Sequence, residues 1–164
     1  MKDRAYAKIN LCLDVAGVRE DGYHDLHMIM VPIDFYDVLE MNIADETTIS
    51  LNRNFLPVND KNTVVKLCHL DLSREELIEV GKKVGADVPF CIFNEPAYVN
   101  GIGEELEPFK INTDFNILLV KPRRGVSTSA AFSRLDLEKA VHPDCLKMRK
   151  ALETDDYLTV VDNL

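Results

Sequence analysis

Segments that read as strand and segments that read as helix interleave along this chain without regular alternation. A doubly wound sheet needs strand and helix in strict turn, so the pattern predicts an α+β fold. AYAKINLCLD, at 5–14, reads as a buried strand. LHMIMVPID, at 26–34, is apolar on both alternating faces and suits a central strand, with Pro32 expected to end it. VLEMNI (38–43) alternates like a half-buried strand, and TTISL (47–51) is placed to pair with it. A helix is expected to begin within 62–70. A stronger one follows, where Ser73 and Glu76 make a capping box, Leu72 and Leu77 a hydrophobic staple, and Gly85 a stop. VPFCIF (88–93) and NILLVKP (116–122) read as buried strands. PAYVNGIGEELEPF (96–109) reads as two short strands around Gly101-x-Gly103. Residues 127–135, 143–153 and 155–164 read as helical.

With 164 residues, 46% hydrophobic and 29% charged, the chain has material for one domain, or one and a fraction. Its net charge of -9 argues against nonspecific binding to nucleic acid, which runs on basic residues, and gives no attraction to anionic lipid. An anionic substrate would need a local positive patch working against that field. Cys12, Cys68, Cys91 and Cys145 are scattered without a C-x-x-C pair. Three of them sit in apolar runs and read as small core residues with reduced thiols. No apolar run follows Met1-Lys2-Asp3-Arg4 and none approaches a membrane span, so the expected location is cytoplasmic.

Several residues carry chemistry. Lys8 stands mid-strand among apolar neighbours, where an ammonium wants a carboxylate partner. Asp87 follows Gly85-Ala86 at a helix-to-strand corner, where a carboxylate can face a cleft. Paired, they would set a base and a cation beside a hydroxyl. Apart, Lys8 would snorkel from an edge strand and Asp87 would cap a turn. Asn10, two residues after Lys8 on a strand, shares its face. Tyr23 and His24 follow the Asp21-Gly22 turn; such residues are more often plainly solvated, though an aromatic and an imidazole on a loop also suit stacking on a base. Phe132 is as suited to a helix core as to a base. Lys121, Arg123 and Arg124 form one basic cluster that would suit a diphosphate or simple solvation.

Four segments taken together are more specific: AYAKINLCLDVAGVREDGYHDL at 5–26, KNTVVK at 61–66, GKKVGADVPFCIF at 81–93 and LLVKPRRGVSTSAAF at 118–132. In this order they resemble the GHMP small-molecule kinases over nearly the whole chain. The resemblance implies the family's ribosomal-protein-like N-terminal domain over 1–122 and the start of a C-terminal domain over 123–164. It implies ATP and Mg²⁺ as cofactors. Lys8 and Asp87 would be the catalytic pair. Asn10, Tyr23, His24, Thr128 and Phe132 would bind a cytidine diphosphate-linked methylerythritol, phosphorylated on its 2-hydroxyl. Asn62 and Thr63 would lie near adenine.

The family's glycine- and serine-rich phosphate loop is missing from this sequence. The seven glycines never occur as neighbours, and Gly101-x-Gly103 is followed by Glu104 and Glu105, which repel phosphate. The expected position of the missing stretch is between Lys66 and Leu67. Other readings are a non-catalytic remnant that binds cytidine diphosphate compounds, and a kinase for another small alcohol. The acidic charge disfavours RNA binding.

Overall fold

The computed structural model describes residues 2–46, 48–52, 58, 72–121 and 123–164. Among these, four strands form one sheet in the order β1-β2-β3-β4: β1 Lys2–Val18, β2 His24–Glu40, β3 Ala97–Asn100 and β4 Glu105–Pro108. The helices are α1 Arg74–Val84, α2 Val88–Phe93, α3 Thr128–Phe132, α4 Cys145–Glu153 and α5 Tyr157–Asp162. This is the expected α+β composition. None of these helices is long and apolar enough to cross a membrane. The chain divides into two compact units, Met1–Ile9 with Val31–Glu95, and Asn10–Met30 with Pro96–Leu164.

In the first unit, the opening of β1 and the far half of β2 are joined by side chains. Lys2 pairs with Glu40 at 2.6 Å, Tyr6 meets Tyr36 edge-on at 5.4 Å, and the Arg4 guanidinium lies 4.4 Å over the Tyr36 ring. α1 begins as its sequence predicts. The Ser73 side chain accepts from the Glu76 amide, and the Glu76 carboxylate accepts from the Ser73 amide at 2.9 Å. The backbone bond to Ser73 is the main cause that holds the Glu76 carboxyl below its ordinary pKa. α1 packs on α2 through Gly81, where an added Cβ would sit 3.0 Å from Val88 Cγ1 and 3.1 Å from Ile92 Cδ1. Arg74 ties the two helices at their other ends, through the Phe93 carbonyl, the Phe93 ring and Glu95.

The second unit holds the antiparallel ladder. Met28, Ile29 and Met30 face Val99, Tyr98 and Ala97, and Ala97–Asn100 pair with Pro108–Glu105. Its core is Met28, Ile29, Met30, Val99, Met148 and Leu152, all 2% exposed or less. α4 presents Cys145, Met148, Ala151 and Leu152 to that core, a spacing that keeps one helical face inward. Asp144 caps it by accepting from the Lys147 amide at 2.9 Å. Cys12 and Cys145 are buried, as small core residues should be, whereas Cys91 is exposed.

Four local expectations are corrected. Val88–Phe93 is a helix, because Pro89 suits a first helical turn and the i, i+4 pair Val88 and Ile92 finds Gly81. Asp87 therefore stands between two helices. β2 runs through Pro32 to Glu40, so the proline does not end it. Residues 41–44 and 48–51 carry no strand, so the hairpin expected there is not formed among the described residues. Residues 116–121 carry no strand and are exposed. The helix expected within 62–70, Asn62, Thr63 and the Lys66–Leu67 junction lie outside the described residues.

Candidate functional site

Asp87 occupies the N-cap position of α2, with φ -83° and ψ -14°. Its carboxylate makes no cap bond to the helix, so it is free to point elsewhere. It meets Lys8 of β1, with Nζ to Oδ1 at 3.2 Å. The Lys8 side chain is 21% exposed and that of Asp87 63%, so a mostly sheltered ammonium is held against a carboxylate open to solvent. The geometry suits a base with a fixed cation at its side. One turn on, the Cys91 amide donates to the Asp87 carbonyl at 3.1 Å. Much of the Cys91 surface is exposed, yet packing at its sulfur pushes the thiol pKa up, with Asp87 adding to the shift and Lys8 opposing it.

The second unit positions the remaining described residues. The loop after β1 closes tightly. The Arg19 amide donates to the Tyr23 carbonyl at 2.7 Å, the Tyr23 amide to Asp21 Oδ1 at 3.0 Å, and Gly22 takes φ +82°. Arg19 also reaches Asp25 at 3.2 Å. The loop delivers His24 onto the Phe132 ring of α3, with centroids 4.7 Å apart and 30° between planes. Tyr23 points outward and is 57% exposed. Of the residues expected at a base, His24 and Phe132 are brought together. The Asn10 amide donates to Met28 Sδ at 3.7 Å, and Thr128 is exposed at the start of α3.

Behind Phe132 lies an apolar cavity of about 230 Å³, walled by Leu13, Val15, Leu135 and Val141. Asp14 and His142 close one side of it. His142 Nδ1–H donates to Asp14 Oδ1 at 2.6 Å, and Nε2–H to the Leu137 carbonyl at 3.3 Å. Donating from both nitrogens requires the imidazolium, and the Asp14 bond, then the Leu137 bond, raise the His142 pKa. Nothing local hints at this pair, since Asp14 and His142 stand in unremarkable contexts at opposite ends of the chain. A second polar group was equally hidden. His27 Nδ1–H donates to Asn100 Oδ1 at 2.8 Å, with Tyr98 Oη 3.3 Å from the same nitrogen. Among the described residues no group of three or more His, Cys, Asp or Glu side chains is placed to hold a metal.

No family model matches the chain. Curated relatives do. The 4-diphosphocytidyl-2-C-methyl-D-erythritol kinase of Clostridium acetobutylicum is 36% identical, and the match covers all of this chain and 75% of the relative. The enzyme of the same name from Clostridium tetani is 33% identical, with the same coverage of both chains. The Clostridium acetobutylicum alignment runs over 211 residues, of which this chain of 164 supplies all it has, leaving 47 positions without a counterpart. In shape, the chain is similar to a crystal structure of 4-(cytidine 5'-diphospho)-2C-methyl-D-erythritol kinase. The TM-score is 0.65 over 93% of this chain and 71% of that one. At 20% identity that likeness speaks for the fold alone.

Proposed function

Because the chain belongs to the 4-diphosphocytidyl-2-C-methyl-D-erythritol kinase family, we propose that it transfers the terminal phosphoryl group of ATP to the 2-hydroxyl of that cytidylyl substrate. The observation that carries this reading is the Lys8–Asp87 pair at 3.2 Å. Asp87, open to solvent, accepts the hydroxyl proton as the oxygen attacks phosphorus. Lys8 holds the carboxylate in place and offsets charge gathering on the attacking oxygen. The cytidine end is assigned to His24 and Phe132, with Tyr23 free to swing onto the exposed face of the base and Asn10 and Thr128 to bond the polar remainder. Asn62 and Thr63 are assigned to the adenine side. Mg²⁺ belongs to the reading as the ion accompanying ATP phosphates. Among the described residues no group of three or more His, Cys, Asp or Glu side chains would hold it.

A specific observation favours a second reading beside this one. The 47 positions without a counterpart fall inside the aligned region, and the sequence has no glycine-rich loop for phosphates. A chain so built would hold the cytidine end of the substrate without transferring phosphate. ADP release by the purified chain, given Mg-ATP and the cytidylyl substrate, separates the two. Substrate-dependent turnover supports the kinase. Binding of cytidine diphosphate compounds without turnover supports the half-site. If neither occurs, both readings fail.

A further inference from the structure

Cys12 of β1 and Cys145, the first residue of α4, stand 133 positions apart in the chain, yet their sulfurs are 2.7 Å from each other. Each residue is only 4% exposed. A buried thiol ordinarily acts as a small apolar filler. Here the two thiols bond to each other, and the bonds have an order. Cys145 Sγ–H donates to the His27 carbonyl at 3.2 Å, which leaves the Cys145 sulfur to accept the Cys12 thiol hydrogen. When Cys12 loses its proton, the Cys145 hydrogen turns to the Cys12 sulfur instead. That bond lowers the Cys12 pKa, against burial and the charges of Asp14 and Asp144, and it raises the Cys145 pKa, with burial adding to the rise. The sulfurs are therefore unequal, one favoured as thiolate and the other as thiol. The same two stretches of chain are also tied beside the pair, where Asp14 Oδ1 accepts from His142 Nδ1 at 2.6 Å.

We infer that Cys12 and Cys145 form an oxidisable dithiol site, which hydrogen peroxide closes into an intrachain disulfide that staples β1 to the start of α4. The Cys12 thiolate attacks one peroxide oxygen. An S–O bond forms and the O–O bond breaks. The departing hydroxide takes up the proton that Cys12 released and becomes water, leaving Cys12 as a sulfenic acid. The Cys145 sulfur then attacks the Cys12 sulfur. The S–S bond forms, the S–O bond breaks, and hydroxide leaves with the Cys145 proton as a second water. The two thiols lose two electrons in all, and one hydrogen peroxide is reduced to two waters. Little movement is needed, since the sulfurs already touch and a disulfide sets them about 2.05 Å apart. Burial selects the oxidant: a peroxide is close to water in size, whereas a bulky disulfide is kept from sulfurs so enclosed. Cys91 is a poorer nucleophile than Cys12 although it is exposed, because packing at its sulfur favours the neutral thiol. Cys68 lies outside the described residues.

The test treats the reduced 164-residue chain with a small excess of hydrogen peroxide, quenches with catalase, and alkylates the remaining thiols in denaturant. Mass spectrometry of the intact chain and of its tryptic peptides, without reductant, then reads the products. The expected result is a chain with two of its four thiols protected, and a Cys12 peptide linked to a Cys145 peptide that dithiothreitol separates. Oxidation should also raise the melting temperature by several degrees, because the bridge closes a long loop, and the treated Cys12→Ser chain should show no such rise. Dimedone, which traps sulfenic acids, should label Cys12 in Cys145→Ser and leave Cys145 unlabelled in Cys12→Ser. The wild-type peptide map decides the pairing even where a serine variant folds poorly, and it needs no turnover, so it stands apart from the kinase assignment. The proposal is overturned by four thiols that all still alkylate, by a bridge to Cys68, to Cys91 or to another chain, by sulfinic acid on Cys12 without a bridge, by dimedone on Cys145 in Cys12→Ser, or by an oxidised chain that melts no higher than the reduced one.

Discussion

Lys8 Nζ lies 3.2 Å from Asp87 Oδ1, joining the middle of β1 to the residue before α2. The pair is poorly placed to serve stability. With the Asp87 side chain 63% exposed, water screens it, and such a pair contributes only about 0–1 kcal/mol. Its worth lies in placement. Asp87→Asn should lower turnover by roughly 10²–10⁴-fold, the usual share of a positioned base, and move the melting temperature little. Cytidine diphosphate binding should persist. A variant that keeps turnover removes Asp87 from the role of base.

The stack of His24 on Phe132 makes a second claim measurable. At 4.7 Å between centroids there is no room for a base between the rings, so a cytosine must either part them or stack from outside. Phe132→Ala should weaken cytidine diphosphate binding by about 1–3 kcal/mol, the usual worth of one stacked base, or roughly 5- to 150-fold in Kd. Titration calorimetry on both proteins reads this directly. An unchanged Kd would return Phe132 to the role of a simple core residue.

The features of this chain were legible in its sequence to different depths. Lys8 and Asp87 could be paired because an ammonium amid Ala7, Ile9 and Leu11 is anomalous and because the segment around Asp87 is distinctive. The Ser73–Glu76 box and the hairpin around Gly101 were equally plain, since both depend on neighbours within a few residues. Val88–Phe93 was misread because six apolar residues have no period that separates helix from buried strand, and the arbiter, Gly81, lies on another helix. The segment at 116–121 failed in the opposite way. Its strand propensity is sound, but a strand also needs a partner, which the described residues do not supply. Asp14 and His142 left no trace, since nothing local announces a pair made between distant stretches of chain.

That last pair predicts a pH dependence. Its bonds to Asp14 and Leu137 raise the folded pKa of His142 above its unfolded value near 6.5. The sign follows from linkage: the stabilisation is fully present below the unfolded pKa and is lost as pH rises through the folded one. The melting temperature of wild type should exceed that of His142→Gln at pH 5.5, and the gap should shrink as pH climbs past the raised pKa. Comparing the two proteins cancels groups that titrate in both. A gap that widens with pH would contradict the imidazolium bridge.

Two glycines, Gly81 within α1 and Gly85 just past its end, separate packing from backbone need. Gly85 ends the helix with φ 176°, extended backbone that any residue adopts, and an added Cβ there would meet Val88 Cγ2 at an ordinary 3.5 Å. Gly85→Ala should leave both melting temperature and turnover nearly unchanged. Gly81 differs. Alanine there gains about 1 kcal/mol of helix propensity, but its Cβ would stand 3.0 Å from Val88 Cγ1 and 3.1 Å from Ile92 Cδ1. Crowding of that kind costs about 1–3 kcal/mol, so the net loss of stability is roughly 0–2 kcal/mol. Val88 opens the helix that Asp87 precedes, so the relief moves the start of α2 and the carboxylate with it. Misplacement of a catalytic group by even about 1 Å can cost 10²-fold, so turnover in Gly81→Ala should fall far more than the melting temperature. Parallel melts and ADP-release assays on the two variants decide it. Equal behaviour of the two alanines would mean that the α1–α2 contact does not position Asp87.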